Sequence, residues 1–238
     1  MQAKHLYKFL TEEFKCIIKG DLSALSNFKY FKAWEQSLGH GHDSMTDRMP
    51  WISFPAIDFL QHYLKPDHKV FEFGGGGSTL YFIDKVSLVV TVEHDEKWFL
   101  MLKENIGKQH PERWEGHMVL PEKMNSDKVC DPSNPDDYAS ADPLFLKHSF
   151  KKYASTIDSY PDQYFDVVLV DGRARPSCIR HSANKIKRGG VLILDNAGRD
   201  YYLSKTSAYL AGLKQVLKKN GPLPYINFFE RTYIWIKQ

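Results

Sequence analysis

Hydrophobic positions recur at two different periods along this chain. Over residues 4–19, Leu6, Phe9, Leu10, Phe14, Ile17 and Ile18 fall at helical spacing and predict an amphipathic helix. The aromatic-rich stretch 25–38 predicts a second helix, after which GHGHDSMTDRMPW breaks the pattern with Gly, Asp and Pro. A third is expected over 56–64, stopping before Pro66. Residues 1–50 are therefore expected to form a helical appendage, or lid, on a domain spanning 51–238.

From Lys69 the period shortens. KVFEF and LVVTVEH are short β-branched runs separated by a glycine loop and a helix-length stretch, 78–86. Residues 96–108 predict another helix and 117–120 a weak third strand. FDVVLVDG and GGVLILDNA are nearly continuous apolar runs, as strands buried on both faces of a parallel sheet should be. Between them 180–187 can form a connecting helix ended by Gly189-Gly190. This alternation predicts an α/β fold with a doubly wound, mostly parallel sheet. A helix is expected over 205–219. YINFFE and TYIWIK then follow as two strands so close in sequence, around Arg231, that they must be antiparallel, a C-terminal hairpin. Residues 121–150, with four prolines, form a long insertion.

The 238 residues correspond to about 1.6 domains at the usual ~150 residues each. Hydrophobic residues make up 42% and charged residues 26%, ordinary globular values. The net charge of +3 is too small to imply a nucleic-acid partner, and Lys151-Lys152 and Lys218-Lys219 read as solvated faces. Cys16, Cys130 and Cys178 are too scattered for a disulfide framework or metal knuckle. They are expected as reduced thiols of a cytoplasmic protein. No apolar run reaches the ~18 residues of a membrane span, and no signal-peptide core is expected in the first residues.

The candidate chemistry begins at Glu72-Phe-Gly74-Gly-Gly76-Gly-Ser78-Thr79, between a strand and a helix. Glycines allow a tight turn and leave no side chain between backbone and ligand. Glu93 ends the next strand 21 residues after Glu72, where a carboxylate can accept both hydroxyls of a ribose. No lysine follows the glycines, against a phosphate-cradling loop. A carboxylate at Glu72 is poorly placed for a pyrophosphate but suits a cationic ligand. S-adenosylmethionine, with its sulfonium, ammonium and ribose, meets those requirements. A nicotinamide-dependent oxidoreductase remains the rival enzyme, and a catalytically silent Rossmann-like binding protein the rival outside catalysis.

EFGGGGST, TVEHDEKW, FDVVLVDGRAR and GGVLILDNA, in that order, resemble the motifs of class I S-adenosylmethionine-dependent methyltransferases. More narrowly they resemble bacterial members with an FEFGSGNST-like first motif and a DGxAR-like fourth, although Gly75 and Gly77 replace that Ser and Asn. The resemblance covers roughly 51–238 and implies a Rossmann-like fold with a reversed last strand. It implies Glu72, Gly74 and Gly76 around the methionine portion of the cofactor, Ser78 also at the cofactor, Glu93 on the ribose and Asp171 beside the transferring methyl. The acid that many members carry after the third strand has no clear counterpart; Glu122 is a candidate substitute.

Asp171 ends one buried strand and Asp195-Asn196 the next, so the sheet brings them to one rim. Two carboxylates and an amide oxygen suit Mg²⁺, in an arrangement that resembles the metal site of catechol-type O-methyltransferases. The alternative is that they cap the following segments or act directly, with Asp195 or Asp171 as base. Arg173 and Arg175 either hold an acidic substrate group or balance the carboxylates. His40, His42 and Asp43 make a poor metal cage, and His94 reads as packing rather than as a base. The aromatic residues at 28–34 and 51–54 either line an acceptor pocket or belong to the core. The expected reaction is O-methylation of a small molecule or sugar.

Overall fold

The computed structural model describes residues 2–107, 110–125 and 129–238. Met1, Lys108 at the end of the predicted 96–108 helix, and 126–128 of the predicted insertion lie outside the described residues. The chain opens with α1 (Ala3–Ile18), α2 (Phe31–Ser37) and α3 (Phe54–Tyr63). The single helix expected over 25–38 is split, because Leu22–Tyr30 winds as a tighter 3-10 segment. Its polar side chains bond backbone locally: Asp21 accepts from the Ser23 amide at 3.1 Å, and the Ser26 hydroxyl donates to the Ser23 carbonyl at 2.9 Å.

Strand and helix then alternate: β1 (Lys69–Phe73), α4 (Gly77–Ile83), β2 (Leu88–Glu93), α5 (Glu96–Ile106) and β3 (Trp114–Met118). Within the insertion, β4 (Glu122–Lys123) and β5 (His148–Ser149) pair as a small antiparallel ribbon. There follow α6 (Lys151–Ser155), β6 (Phe165–Val170), α7 (Arg175–Ser182), β7 (Ile186–Leu194), α8 (Ser207–Leu210), β8 (Leu213–Pro222) and β9 (Phe229–Lys237). Seven strands make one sheet in the order β3-β2-β1-β6-β7-β9-β8. The first five run parallel; β9 is antiparallel to both neighbours. The architecture is the expected α/β, mostly parallel, Rossmann-like sheet with an antiparallel hairpin at its C-terminal edge.

Three expected boundaries are corrected. The third strand lies at Trp114–Met118 rather than 117–120. The connecting helix starts earlier, at Arg175–Ser182, and Gly189-Gly190 lie inside β7 rather than ending a helix. Most of the helix expected over 205–219 is strand β8, and the hairpin turn falls at 223–228. Arg231 is paired with Asn220 within the ladder. LKQVLKK is built of good helix formers, but cross-strand pairing with β9 overrides that preference. Lys214, Lys218 and Lys219 then lie on the outermost strand, where charge discourages pairing with another chain.

Alternation along the strands sorts the core into two layers. Val70, Val89, Leu169 and Ile193 share one layer with α4, α3 and α1, whereas Phe71, Phe73, Val168, Val170 and Leu194 share the other with Tyr153, Cys178 and Ile179. The N-terminal segment belongs to the first layer. Phe9 is fully buried between Trp34 (5.3 Å between ring centres) and Phe229 (5.0 Å), and the Trp34 indole donates to the Ile226 carbonyl at 2.9 Å. Phe9 and Trp34 are therefore core, with half-buried Phe31 packed against them. No described helix is long and apolar enough to cross a membrane.

Gly77 marks where the loop before α3 presses on α4. A Cβ there would lie 2.1 Å from the Ser44 carbonyl oxygen and 2.5 Å from that of Met49, both backbone atoms. Gly77→Ala is expected to destabilise the fold by about 1–3 kcal/mol or more. Gly212→Ala, with nothing within 4 Å of the added methyl, should be close to neutral. Urea midpoints at unchanged slope measure the difference; equal midpoints would refute the contact.

Candidate active site

The site is built where β1, β2, β6 and β7 end. Gly74 follows β1 with φ +88°, a conformation costing an L side chain roughly 1–2 kcal/mol. A Cβ there would stand 3.1 Å from the Gly172 Cα, so the loops after β1 and β6 touch backbone to backbone.

Glu72 lies beneath this loop. It pairs in register with Thr91 of β2 and accepts hydrogen bonds from the Ser78 hydroxyl (2.7 Å), the Thr91 hydroxyl (2.8 Å) and the Thr79 hydroxyl. None of its surface is exposed. Burial pushes its carboxyl up to about 7, although the three hydroxyls pull it back. Glu72 thus anchors the start of α4 from below and is not on a cavity wall.

Glu93 engages the loop from the side. One carboxylate oxygen accepts from the Gly75 amide (3.0 Å), and the other from the amides of His94 (2.6 Å) and Asp95 (2.9 Å). Burial alone would raise its pKa, but the neighbouring imidazole of His94 and these amides hold it below the usual value. A carboxylate offers about four acceptor positions, so capacity remains toward the cavity that Glu93 lines. The Gly76 amide, in turn, donates to the Thr79 hydroxyl at 3.0 Å, and the Trp98 indole closes on the Gly75 carbonyl at 2.5 Å.

That cavity is about 250 Å³, walled by Gly74, Gly75, Ser78, Glu93 and Asp171 and, from the N-terminal side, by Ser44 and Trp51. Gly172, Arg173 and Arg175 separate it from a second cavity of about 290 Å³ under the insertion and the segment after β7. Together they fall within the ~300–1,000 Å³ usual for ligand sites. Gly76, Asp195 and Asn196 line neither cavity, and the Ser78 hydroxyl is engaged by Glu72.

Arg175 decides the chemistry of the rim. Only 6% exposed, it donates to the Asp171 carboxylate (2.9 Å) and to the carbonyls of Asp171 (3.0 Å), Gly172 (3.0 Å) and Asp195. The Asp195 carboxylate turns inward to accept the Thr232 hydroxyl at 2.7 Å. Burial pushes both carboxyls up. Asp171 adds like-charge repulsion at Asp195, and Arg175 pulls both down again. Ala174, at φ +46°, and Asn196, at φ +47°, are left-handed beside these two carboxylates.

Of the two readings left open, a metal ion or an arginine balancing the carboxylates, the guanidinium of Arg175 is the positive charge in place here. The set Asp171, Asp195 and Asn196 does not fit an ion, and among the described residues no cluster of three or more His, Cys, Asp or Glu could hold one. The HGHD stretch serves its own loop: Asp43 accepts from the amides of Met45 and Thr46, and His42 faces Asp47 at 2.9 Å. Glu122 pairs with Lys152 at 2.6 Å. His94 packs edge-on against Phe145 and Phe150, at ring separations of 5.4 and 5.7 Å. Of the two readings of the aromatic residues at 51–54, Trp51 takes the cavity wall, while the contributions of Trp98, Arg199 and Tyr202 escaped the sequence reading. The run GRDYY just past the β7 rim was the available signal for the last two.

No family model matches the chain, and a search of curated protein sequences finds no match. Solved structures do match. An O-methyltransferase from Bacillus cereus in complex with SAH is 15% identical, with a TM-score of 0.54 over 100% of this chain and 92% of that one. TrmN from Thermus thermophilus is 12% identical, with a TM-score of 0.50 over 77% of this chain and 48% of its own length. The chain has the class I methyltransferase fold. At these identities the likeness is one of fold.

Glu72 has a pH signature. Its folded value of about 7 exceeds the ordinary 4.5, so the unfolded chain releases the proton first. The stability associated with this group is full below about pH 4.5 and is lost as pH rises to about 7. Glu72→Gln, which cannot titrate, is expected to gain on the wild type across that window in urea unfolding at several pH values. A pH-independent difference between the two proteins would refute the shift.

Proposed function

We propose that this protein transfers a methyl group from S-adenosylmethionine to oxygen on a small molecule or sugar. The observation that carries the reading is the state of the glycine-loop amides. A dinucleotide's pyrophosphate needs free N–H groups at this turn, but the Gly75 amide is engaged by Glu93 and the Gly76 amide by Thr79. The cavity beside them carries the carboxylates of Glu93 and Asp171, a wall suited to a ribose and a cationic centre. The methyltransferase fold supports the same conclusion.

When bound, the cofactor supplies an electrophilic methyl on a sulfonium. Glu93, with three amides on its carboxylate, keeps an acceptor position for a ribose hydroxyl. Asp171 lines the glycine-loop cavity and pairs with Arg175, with its side chain 27% exposed. It is the better placed of the two aspartates to take the acceptor's proton, since Asp195 faces Thr232. Asp171 would take the proton of the acceptor oxygen while that oxygen accepts the methyl of the sulfonium, whose sulfur keeps the bonding pair. Most of the acceleration comes from alignment of the two reactants, with Asp171 adding about 10²–10⁴-fold as base.

Calorimetric titration with S-adenosylhomocysteine tests the reading. Micromolar binding, about −8 kcal/mol, is expected, weakened at least about tenfold in Glu93→Ala. No binding, with NADH binding instead, would make the protein an oxidoreductase. Silence toward both would leave a non-catalytic binding protein. Asp171→Asn should retain S-adenosylhomocysteine affinity while labelled-methyl transfer to hydroxylated small molecules falls about 10²–10⁴-fold. Unchanged transfer would remove Asp171 as base.

A further inference from the structure

The second cavity carries more positive charge than its own carboxylates balance. Its walls present Arg173, Arg175 and Arg199 against a single acid, Asp142. Arg175 is fully engaged with the strand rims, and Arg173 pairs with Asp142 at 3.0 Å while lying 5.6 Å from the centre of the Phe145 ring. Arg199 differs. It donates to the Tyr202 hydroxyl at 3.0 Å and, among the described residues, has no carboxylate within ion-pair distance. Its guanidinium and that of Arg175 stand over the Tyr202 ring, at 5.8 and 5.2 Å from the centroid, which fixes their planes.

The cavity is also held in shape. Asp131 of the insertion pairs with Lys205 beyond β7 at 2.7 Å, tying together the two segments that roof the site. That lysine, with Ser133, pulls the Asp131 carboxyl down to about 2. Burial and the Tyr202 contact push the Tyr201 phenol up to about 12, leaving it an O–H donor beside Arg199.

We propose that this cavity is the acceptor site and that the acceptor is an anionic small molecule, its carboxylate or phosphate held by Arg199 with Arg173 beside it. A planar guanidinium presents paired donors matched to such an oxyanion. Asp142 and Asp171 occupy only part of the positive field, and an incoming anion completes it. The assignment of the cavity as an acceptor site rests on the methyl-transfer reading; the charge recognition does not.

The test titrates the protein, with and without S-adenosylhomocysteine, with D-glucuronate, D-glucose 6-phosphate and neutral D-glucose. At least one anionic sugar is expected to bind in the millimolar range or tighter and glucose at least about tenfold more weakly. The preferred anion distinguishes carboxylate from phosphate. Arg199→Gln, at an exposed position, should weaken the anion at least about tenfold while leaving S-adenosylhomocysteine affinity unchanged. Failure of both anions to bind, equal binding of glucose, or an unaffected Arg199→Gln overturns the proposal. Anion binding without any S-adenosylhomocysteine binding would instead overturn the methyl-transfer reading and leave the anion site standing.

Discussion

A buried guanidinium organises the working end of this molecule. Arg175 reaches from the first turn of α7 to the carbonyls that end β6 and β7 and to the Asp171 carboxylate. Parallel strands leave their last carbonyls without ladder partners, and the loops that follow must satisfy them. One side chain does this for two adjacent strands and neutralises an acid that burial would otherwise protonate. Removing one partner from such a pair costs about 3–5 kcal/mol, because the other is left charged and dry.

The two glutamates of the first half divide the work differently from their appearance in the sequence. Glu72 is next to last in β1 and Glu93 ends β2; the register puts both on the α4 face of the sheet, but Glu72 sits inside it beneath α4, whereas Glu93 emerges at the edge. The inner carboxylate holds the helix start through three hydroxyls; the outer one holds the Gly75 amide and retains acceptor capacity facing the cavity. The loop is thereby rigid from below and polar in front, the condition for positioning a ligand rather than enclosing one.

The remaining elements shape what that rim can meet. Ser44 and Trp51, carried by the loop after the N-terminal helices, close one cavity. The insertion and the segment after β7 close the other, fastened by Asp131 and Lys205. The hairpin β8–β9 completes the sheet and seats α1 through Phe229. The same aromatic cluster that anchors the N-terminal helices thus supports the strand whose Thr232 holds Asp195.

Continuous apolar runs, the glycine loop and acids at strand ends were legible in the linear order of residues, because a parallel sheet buries its strands on both faces and gathers their C-terminal ends at one rim. From these came the α/β class, the glycine loop flanked by Glu93, and Asp171. The chain alone could not tell strand from helix in LKQVLKK, whose local preference is helical and whose partner, β9, lies beyond a turn. Nor could it decide whether Arg175 or a metal ion balanced the carboxylates, or that Glu72 faced inward and Arg199 outward. Those outcomes depend on which side chains distant in sequence arrive within hydrogen-bonding reach, and only the packed sheet sets those distances.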